Sequence, residues 1–547
     1  MADMHFLGLG GTDEVGASSY EYLLPEGNLL VDAGVRPGAS GEAALPNLAL
    51  LREHRPSAMV LTHAHLDHVA ALPLVTSAHP DLPVYCTAPT ARITATVLAD
   101  TLKVSREQGA PLFDARMMKR ALERLRVVEP FERVDAHGFS FTLYPSGHLL
   151  GACSALIESS GGRVFHTGDF SNVDTPTTRA AYVPPEEVRV DAVVTESTYG
   201  DTLLPARREQ VRTFVAAIDE TLRGGGKVLI PSFALGRAQE IVTILLTAMT
   251  GGQLRGVPIY LDGLVRAMTE LYEDLLPFLP EALRNARRAS GLSPFLRSPV
   301  ALVEDARHRE RILSSREPCV IIASSGMLHA GASPLYARAL LPQPENALFV
   351  VGYQDAESPG RRLLELRQGG EVLLPDGRGA REEVAALCRV ERFYLSAHAD
   401  RGGILGLLAR YPSPKAILTH GEVAPRQSLK SFLDTKRDVS LPSAGEVVPL
   451  EDSGRRRGAF VNTAARRLAA TKERHARRAV TLRYDDEHHR LVVDLPEDLS
   501  PNFFGEGAYT LEVVRGALSR VKLTQRAQDD AEAEGEGQGE TASTRPG

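Results

Sequence analysis

His63-Ala64-His65-Leu66-Asp67-His68 follows the apolar run Ala58 to Leu61, so a dense polar cluster stands where a buried strand emerges. Alternate residues of an extended chain project to one side, which puts His63 and His65 together. Asp67 and His68 follow at once. Imidazoles and carboxylates crowd a strand end when a cation satisfies them, because burying them unpaired is costly. A solvated polar loop has no such need. The stretch predicts a bound metal.

At 547 residues the chain is long enough for two or three domains with sizeable cores. A hydrophobic content of 43% and a charged content of 24% are those of a globular protein, not of a fibrous or disordered one. No apolar run reaches the length of a membrane-spanning helix, and Met1-Ala2-Asp3-Met4-His5 lacks the basic-then-apolar pattern of a secretion signal. Cys86, Cys153, Cys319 and Cys388 are scattered, as buried thiols of a reducing cytoplasm would be. The expected location is cytoplasmic, with no membrane partner.

The net charge of −7 hides two opposed segments. Residues 527–547 carry six acidic side chains and one arginine, whereas Arg455 to Arg478 holds nine Arg or Lys and one Glu. The basic run suits a polyanion, although a solvated helix face reads the same way.

Up to about Asp201 the chain reads as short strands: His5 to Leu9, Asn28 to Val31, Ala58 to Leu61, Val84 to Thr87, Phe139 to Tyr144, Ala155 to Glu158, Arg163 to His166 and Ala192 to Thr195. Helical periodicity is confined there to Thr90–Leu102 and Asp114–Leu125. From Leu204, helices (Arg207 to Leu222, Ala238 to Ala248, Val265 to Leu276) alternate with β-rich runs, as in a parallel α/β unit. The first texture returns near Arg389. The expected division is therefore 1–203 and 389–452 as one domain, 204–388 as an insertion, 453–524 as a basic segment with a small α+β unit, and 525–547 as an acidic, disordered tail. A hairpin is expected around Asp485-Asp486-Glu487.

Three further candidates stand just past strands: His148 after Phe139–Tyr144, Asp169 after Arg163–His166, and His420 after Lys415–Leu418. Each alone is weak. Together they allow His63, His65 and His148 to serve one metal, Asp67, His68 and His420 a second, and Asp169 to bridge. Nitrogen and oxygen donors without thiolate suit two Zn²⁺, with Mn²⁺ as the alternative. Two such ions roughly 3.5–4 Å apart can share a hydroxide and clamp both oxygens of a displacement.

This ordered set resembles the metallo-β-lactamase superfamily, whose hallmark is a strand-terminal HxHxDH. The resemblance implies a four-layer αβ/βα sandwich with metals at one edge, and gives Asp32 in Leu30-Val31-Asp32-Ala33-Gly34 the role of supporting the ligands. The large insertion is similar to that of the β-CASP branch, which processes nucleic acids. Glu196 in Thr195-Glu196-Ser197-Thr198, His398 in Ser396-Ala397-His398-Ala399-Asp400, and His420 match its three motifs. Pro231 to Glu240, Ser324-Ser325-Gly326-Met327-Leu328 and Gly352-Tyr353-Gln354 match secondary ones. The resemblance implies Asp67, Asp169, Glu196 and His398 as catalytic residues, with Glu196 orienting His398 beside the scissile phosphate. It also implies Ser325, Gly326, Arg237 and Arg361 as phosphate contacts.

A histidine at the third motif resembles the RNA-processing members, and the alanine between His63 and His65 looks more like the cleavage-factor type than ribonuclease J. Leu328 to Ser333 lacks that branch's double glycine and arginine. The expected activity is zinc-dependent hydrolysis of single-stranded RNA by a metal-held hydroxide, internally or from a 5′ end. DNA cleavage, hydrolysis of small esters or thioesters, and a scaffold without activity are the alternatives. Oligomeric state stays open between monomer and homodimer.

Overall fold

Alternation along the strands builds two apolar layers at once. In strand Gly27–Val31, Leu29 and Val31 face one side while Leu30 faces the other, and all three are buried. Strand Ala192–Glu196 repeats the pattern, with Ala192 and Val194 on one side and Val193 on the other. A sheet buried on both faces needs a cover on each.

The computed structural model describes residues 4–450, apart from 108, 186–187, 367–368, 377–379, 413–414 and 434–436; beyond 450 it describes the backbone of four strands. The chain divides into two units, Met1–Thr471 and Lys472–Gly547. In the first unit one seven-stranded sheet runs, edge to edge, Val447–Pro449, His5–Gly10, Ser19–Leu24, Gly27–Val31, Pro56–Val60, Val84–Cys86, Leu125–Val127. The other runs Asp438–Ser440, Lys415–Thr419, Ala192–Glu196, Gly162–His166, Cys153–Ser159, Phe139–Pro145, Arg133–Ala136.

Between the sheets lies a core that includes Phe6, Tyr22, Val60, Phe141, Leu143, Ile157, Val164 and Ile417. Helices Leu72–Ala78, Ala88–Glu107 and Ala115–Glu123 contribute to the cluster on the outer face of the first sheet. Helix Arg401–Arg410 and Leu429 of helix Val423–Ser431 contribute to the cluster on the second. This is the four-layer αβ/βα sandwich expected.

Residues between the sandwich strands form a third sheet of six parallel strands: Val300–Leu302, Ile259–Asp262, Val320–Ala323, Val228–Pro231, Ala347–Val350, Arg389–Arg392. Parallel pairing requires crossovers, and helices such as Arg237–Thr250 and Ser333–Leu340 provide them. The inserted helices share one continuous apolar cluster with the sandwich helices, so the insertion is packed on, not hinged by a linker.

One boundary moves. Strand Arg389–Arg392 pairs with Ala347–Val350 in the third sheet, so the return to the sandwich comes after Arg392 rather than at Arg389. Its residues are at most half-buried, as at a sheet edge, and their polarity hid the strand.

In the second unit Thr481–Asp485 pairs antiparallel with Arg490–Asp494, the hairpin expected there. Tyr509–Val513 and Val521–Gln525 form another antiparallel pair. The basic run and nearly all of the acidic tail lie outside the described residues. No helix of the described residues is long and apolar enough to cross a membrane.

Asp67 and His68 lie in a short helix, Leu66–Val69, and not in a loop. Three backbone bonds strap it to neighbouring loops, Ser18 N to Asp67 O, Ala33 N to His68 O and Val35 N to Leu66 O, and just past it Ala71 N bonds Ala33 O. A Cβ added at Gly34 would fall on the Asp67 carbonyl, so this close approach requires glycine. Gly34→Ala is expected to displace the helix and cost about 3 kcal/mol of stability, read as a fall in denaturation midpoint.

Candidate metal centre and active site

Both sheets aim the carboxyl ends of their strands at one edge. Asp32 follows Val31, His63 comes three residues after Val60, His148 three after Pro145, Asp169 three after His166, and His420 one after Thr419. Loops at strand ends are where a rigid scaffold presents chemistry. The seven expected ligands converge there.

At one pole His65 Nδ1 lies 3.1 Å from both His63 Nε2 and His148 Nε2. For His148 and His63 the other ring nitrogen fixes the tautomer, whereas His65 Nε2 has no partner among the described residues. His148 Nδ1 donates to Ala397 O at 3.1 Å, leaving Nε2 a lone pair. Thr62 Oγ1 gives its proton to Asp32 Oδ2 at 2.6 Å, so it accepts from His63 Nδ1, and His63 Nε2 also carries a lone pair. Burial holds His63 and His148 well below the ordinary imidazole pKa and His65 at about 4, so none of the three is a cation itself. Lone pairs of neutral imidazoles pointing at one spot need a metal between them.

The other pole is rich in carboxylate. His68 Nδ1 donates to Asp32 Oδ2 at 2.8 Å, which turns Nε2 toward Asp169 Oδ2 at 3.4 Å and Asp67 Oδ2 at 3.8 Å. His420 Nε2 lies 3.4 Å from Asp67 Oδ2. Burial alone would lower the pKa of His68, yet Asp169, Asp67 and Asp32 drive it well above the usual value. For Asp67 burial raises the pKa, but His68 and His420 overcome it and keep the carboxylate ionised. Such a pole attracts a cation.

Asp169 Oδ2 belongs to both poles, at 3.6 Å from His63 Nε2, 3.7 Å from His148 Nε2 and 3.4 Å from His68 Nε2. The donor set therefore fits hard or borderline divalent metal, and His63, His65, His148, Asp67, His68, His420 and Asp169 are the residues that would hold it.

Asp32 is fully buried with φ +62, and its two oxygens take bonds from Thr62 N, Thr62 Oγ1 and His68 Nδ1. It thereby orients one ligand of each pole. Thr62 itself escaped the sequence reading, although it directly precedes the histidine cluster.

Beside the metal poles, His398 Nδ1 lies 2.8 Å from Glu196 Oε2 and 4.0 Å from Asp169 Oδ2. Phe170 N donates to Glu196 Oε1 and Thr198 Oγ1 to Glu196 Oε2, so that carboxylate is fixed. Burial would lower the pKa of His398, but Glu196, with Asp169 and Asp67 behind it, lifts the value to about 9. Thr198 also contacts His420 Nδ1 at 3.2 Å, linking the acid pair to the ligand shell; it too was passed over in the sequence.

The inserted domain closes over this edge. The Phe233 ring lies 6.4 Å from His65, and Tyr353 Oη donates to Glu422 Oε1 at 2.6 Å, two residues past His420. Ser325 and Gly326 occupy the loop after strand Val320–Ala323, and a Cβ on Gly326 would stand 2.8 Å from Phe233 N. That loop is thus brought to the metal edge. Arg361 is half-buried and pairs with Glu365 at 2.5 Å. Arg237 is placed differently from expectation: it is buried, with Glu240 as its ion-pair partner. A guanidinium so engaged does not face a phosphate.

Residues 12–231 match the family model described as Metallo-beta-lactamase superfamily, 238–363 the Beta-Casp domain, and 383–441 the Zn-dependent metallo-hydrolase RNA specificity domain. The RNase J-like protein of Methanocaldococcus jannaschii is 30% identical over 449 residues, covering 81% of this chain and 98% of that one. The chain belongs to the β-CASP branch of the metallo-β-lactamase superfamily.

Two other members of the family are comparably similar. Transcription termination factor FttA of Pyrococcus horikoshii is 33% identical over 456 residues, covering 79% of this chain and 68% of the relative. Endoribonuclease ysh1 of Schizosaccharomyces pombe is 31% identical over 458 residues, with 82% and 58% covered. The family fold and the two side-chain clusters make the edge a divalent-metal site.

Replacing Asp32 by Asn leaves the shape but removes the charge that fixes two tautomers. Metal affinity is expected to fall about 10–100-fold, measured by competition with a chromogenic chelator.

Proposed function

We propose that the protein is a metal-dependent ribonuclease that hydrolyses phosphodiester bonds of single-stranded RNA. The observation that carries this reading is the sharing of Asp169 between two ligand clusters, with His398 of the Glu196–His398 pair 4.0 Å from it. Relatives named as an RNase J-like protein and an endoribonuclease, and a matched RNA specificity domain, support RNA as the substrate. Zn²⁺ is the metal that the histidine-rich, thiolate-free donor set favours, with Mn²⁺ the alternative. Four buried free thiols support a reducing, cytoplasmic setting. A homodimer is the assembly to test first.

When bound, a pair of such ions supplies an activated water and charge stabilisation at the phosphoryl oxygens. The chain's own residues do the rest. His398 gives Nδ1 to Glu196, so Nε2 is the nitrogen left to protonate the leaving oxygen. Glu196 keeps that imidazole charged. The Ser325–Gly326 loop, and Arg361 at the rim, are the proposed phosphate contacts; Arg237 is withdrawn from that role.

Single-stranded RNA labelled at the 5′ or the 3′ end, beside matched DNA, tests the reading. RNA cleavage that disappears on chelation and in Asp67→Ala supports it; unchanged cleavage in both, or cleavage of DNA alone, defeats it. The two labels also separate internal cuts from removal at an end.

His398→Ala should lower kcat by about 10²–10⁴-fold while metal content by elemental analysis stays normal. A proton donor works in its protonated form, so activity falls as pH rises through the His398 pKa. Glu196→Gln lowers that pKa, and the alkaline limb of the pH–rate profile should move to lower pH.

A further inference from the structure

We propose that Arg207 is a positioning residue for His398, acting through a buried ionic network that joins the inserted domain to the loop carrying the proton donor. The inference rests on the reading of His398 as that donor. Arg207 opens the first helix of the insertion, Arg207–Arg223, and its Nη1 donates to Ser396 O at 2.9 Å. One turn further on, Gln210 Oε1 accepts from Tyr394 N at 2.9 Å. Ser396 in turn holds His398, because its Oγ accepts from His398 N at 3.0 Å. Two side chains on one helix face thus grip the segment that ends at the imidazole.

The grip is itself locked. Arg207 Nη2 pairs with Glu240 Oε1, and Arg237 Nη1 pairs with Glu240 Oε2. Glu240 is 3% exposed, so both guanidiniums are held by a carboxylate shielded from water. A buried charge stripped of its partner is strongly unfavourable, which makes the three groups rigid as a set. This accounts for Arg237 and Glu240, which the metal chemistry does not use. Arg207 touches no metal-ligand side chain, but the segment it holds includes Ala397, whose carbonyl accepts from His148 Nδ1. Metal content therefore has to be followed alongside rate.

Lysine at 207 can face Glu240 as a point charge but cannot bond Glu240 and Ser396 O together with one planar fork. A misplaced donor costs on the order of 100-fold in rate. In Arg207→Lys, kcat on ordinary RNA should fall by about that factor, with KM and bound metal near the parent values. The deciding substrate is RNA with sulfur in place of the leaving oxygen, made in both the 3′- and 5′-bridging forms. A thiol has a pKa near about 8.5, so its sulfur departs without a donated proton. On the form in which sulfur leaves, the Arg207→Lys deficit should shrink at least tenfold. Glu240→Gln, which is isosteric, should behave alike and decides the matter if Arg207→Lys does not fold. A deficit equal on both substrates, or loss of bound metal, overturns the inference. His398→Ala is the reference: if sulfur fails to rescue it, the proton-donor reading falls. If sulfur rescues His398→Ala but not Arg207→Lys, only the positioning role falls.

Discussion

Asp32 is the constraint on which the active edge depends. It sits buried in a left-handed conformation one residue past a central strand, a position that only local bonding makes tolerable for a side chain other than glycine. Its carboxylate takes the Thr62 amide, the Thr62 hydroxyl and His68 Nδ1. Through Thr62 it sets the tautomer of His63, and directly it sets that of His68. One buried charge therefore aims a ring nitrogen, Nε2 of His63 or of His68, into each pole. Desolvation raises its pKa, and His68 with Thr62 opposes that. The cost of burying Asp32 is recovered only when both poles are assembled around it.

Much of this was legible in the sequence because the ligands follow strands. A polar cluster after an apolar run has one physical reading when its members are imidazoles and carboxylates, and the strands preceding His63, His148, Asp169 and His420 lie where apolar runs put them. The Glu196–His398 pairing was legible only as a resemblance, since no spacing links residues 202 apart. Other features were hidden for local reasons. Strand Ser19–Leu24 places buried Glu21 within an otherwise strand-like run, and both its oxygens lack a hydrogen-bond partner. Burial lifts its carboxyl to about 8. Strand Arg389–Arg392 is too charged to announce itself. Arg237 looked like a phosphate ligand because arginines often are. Glu240, three residues on and on the same helix face, was the available sign that it is not.

The electrostatic contrast between the poles follows from composition and burial together. Desolvation keeps the three histidines neutral even though Asp169 acts on each of them and Asp67 on His65. Three carboxylates around His68 do the reverse. Asp169 spans the two, so neither pole has a charge state independent of the other. The inserted domain adds to this contrast by excluding water: Phe233 stands against His65, and Tyr353 reaches Glu422 beside His420. Less water means a lower local dielectric, and each charge on the edge then acts more strongly on a phosphodiester laid across it.

The site also requires the whole first unit to close. Its side chains come from positions 32 to 420, and the last of them follows a strand that pairs with Ala192–Glu196 only after the chain has completed the third sheet. Strand Val447–Pro449 then seals the first sheet against His5–Gly10. Until those returns are made, His420 is missing from one pole, and the strand that ends at Glu196 lacks one of its two neighbours. Ligand lone pairs and carboxylates that repel one another without a cation are brought together by these long-range pairings. Metal binding at this edge is for that reason inseparable from completion of the sandwich.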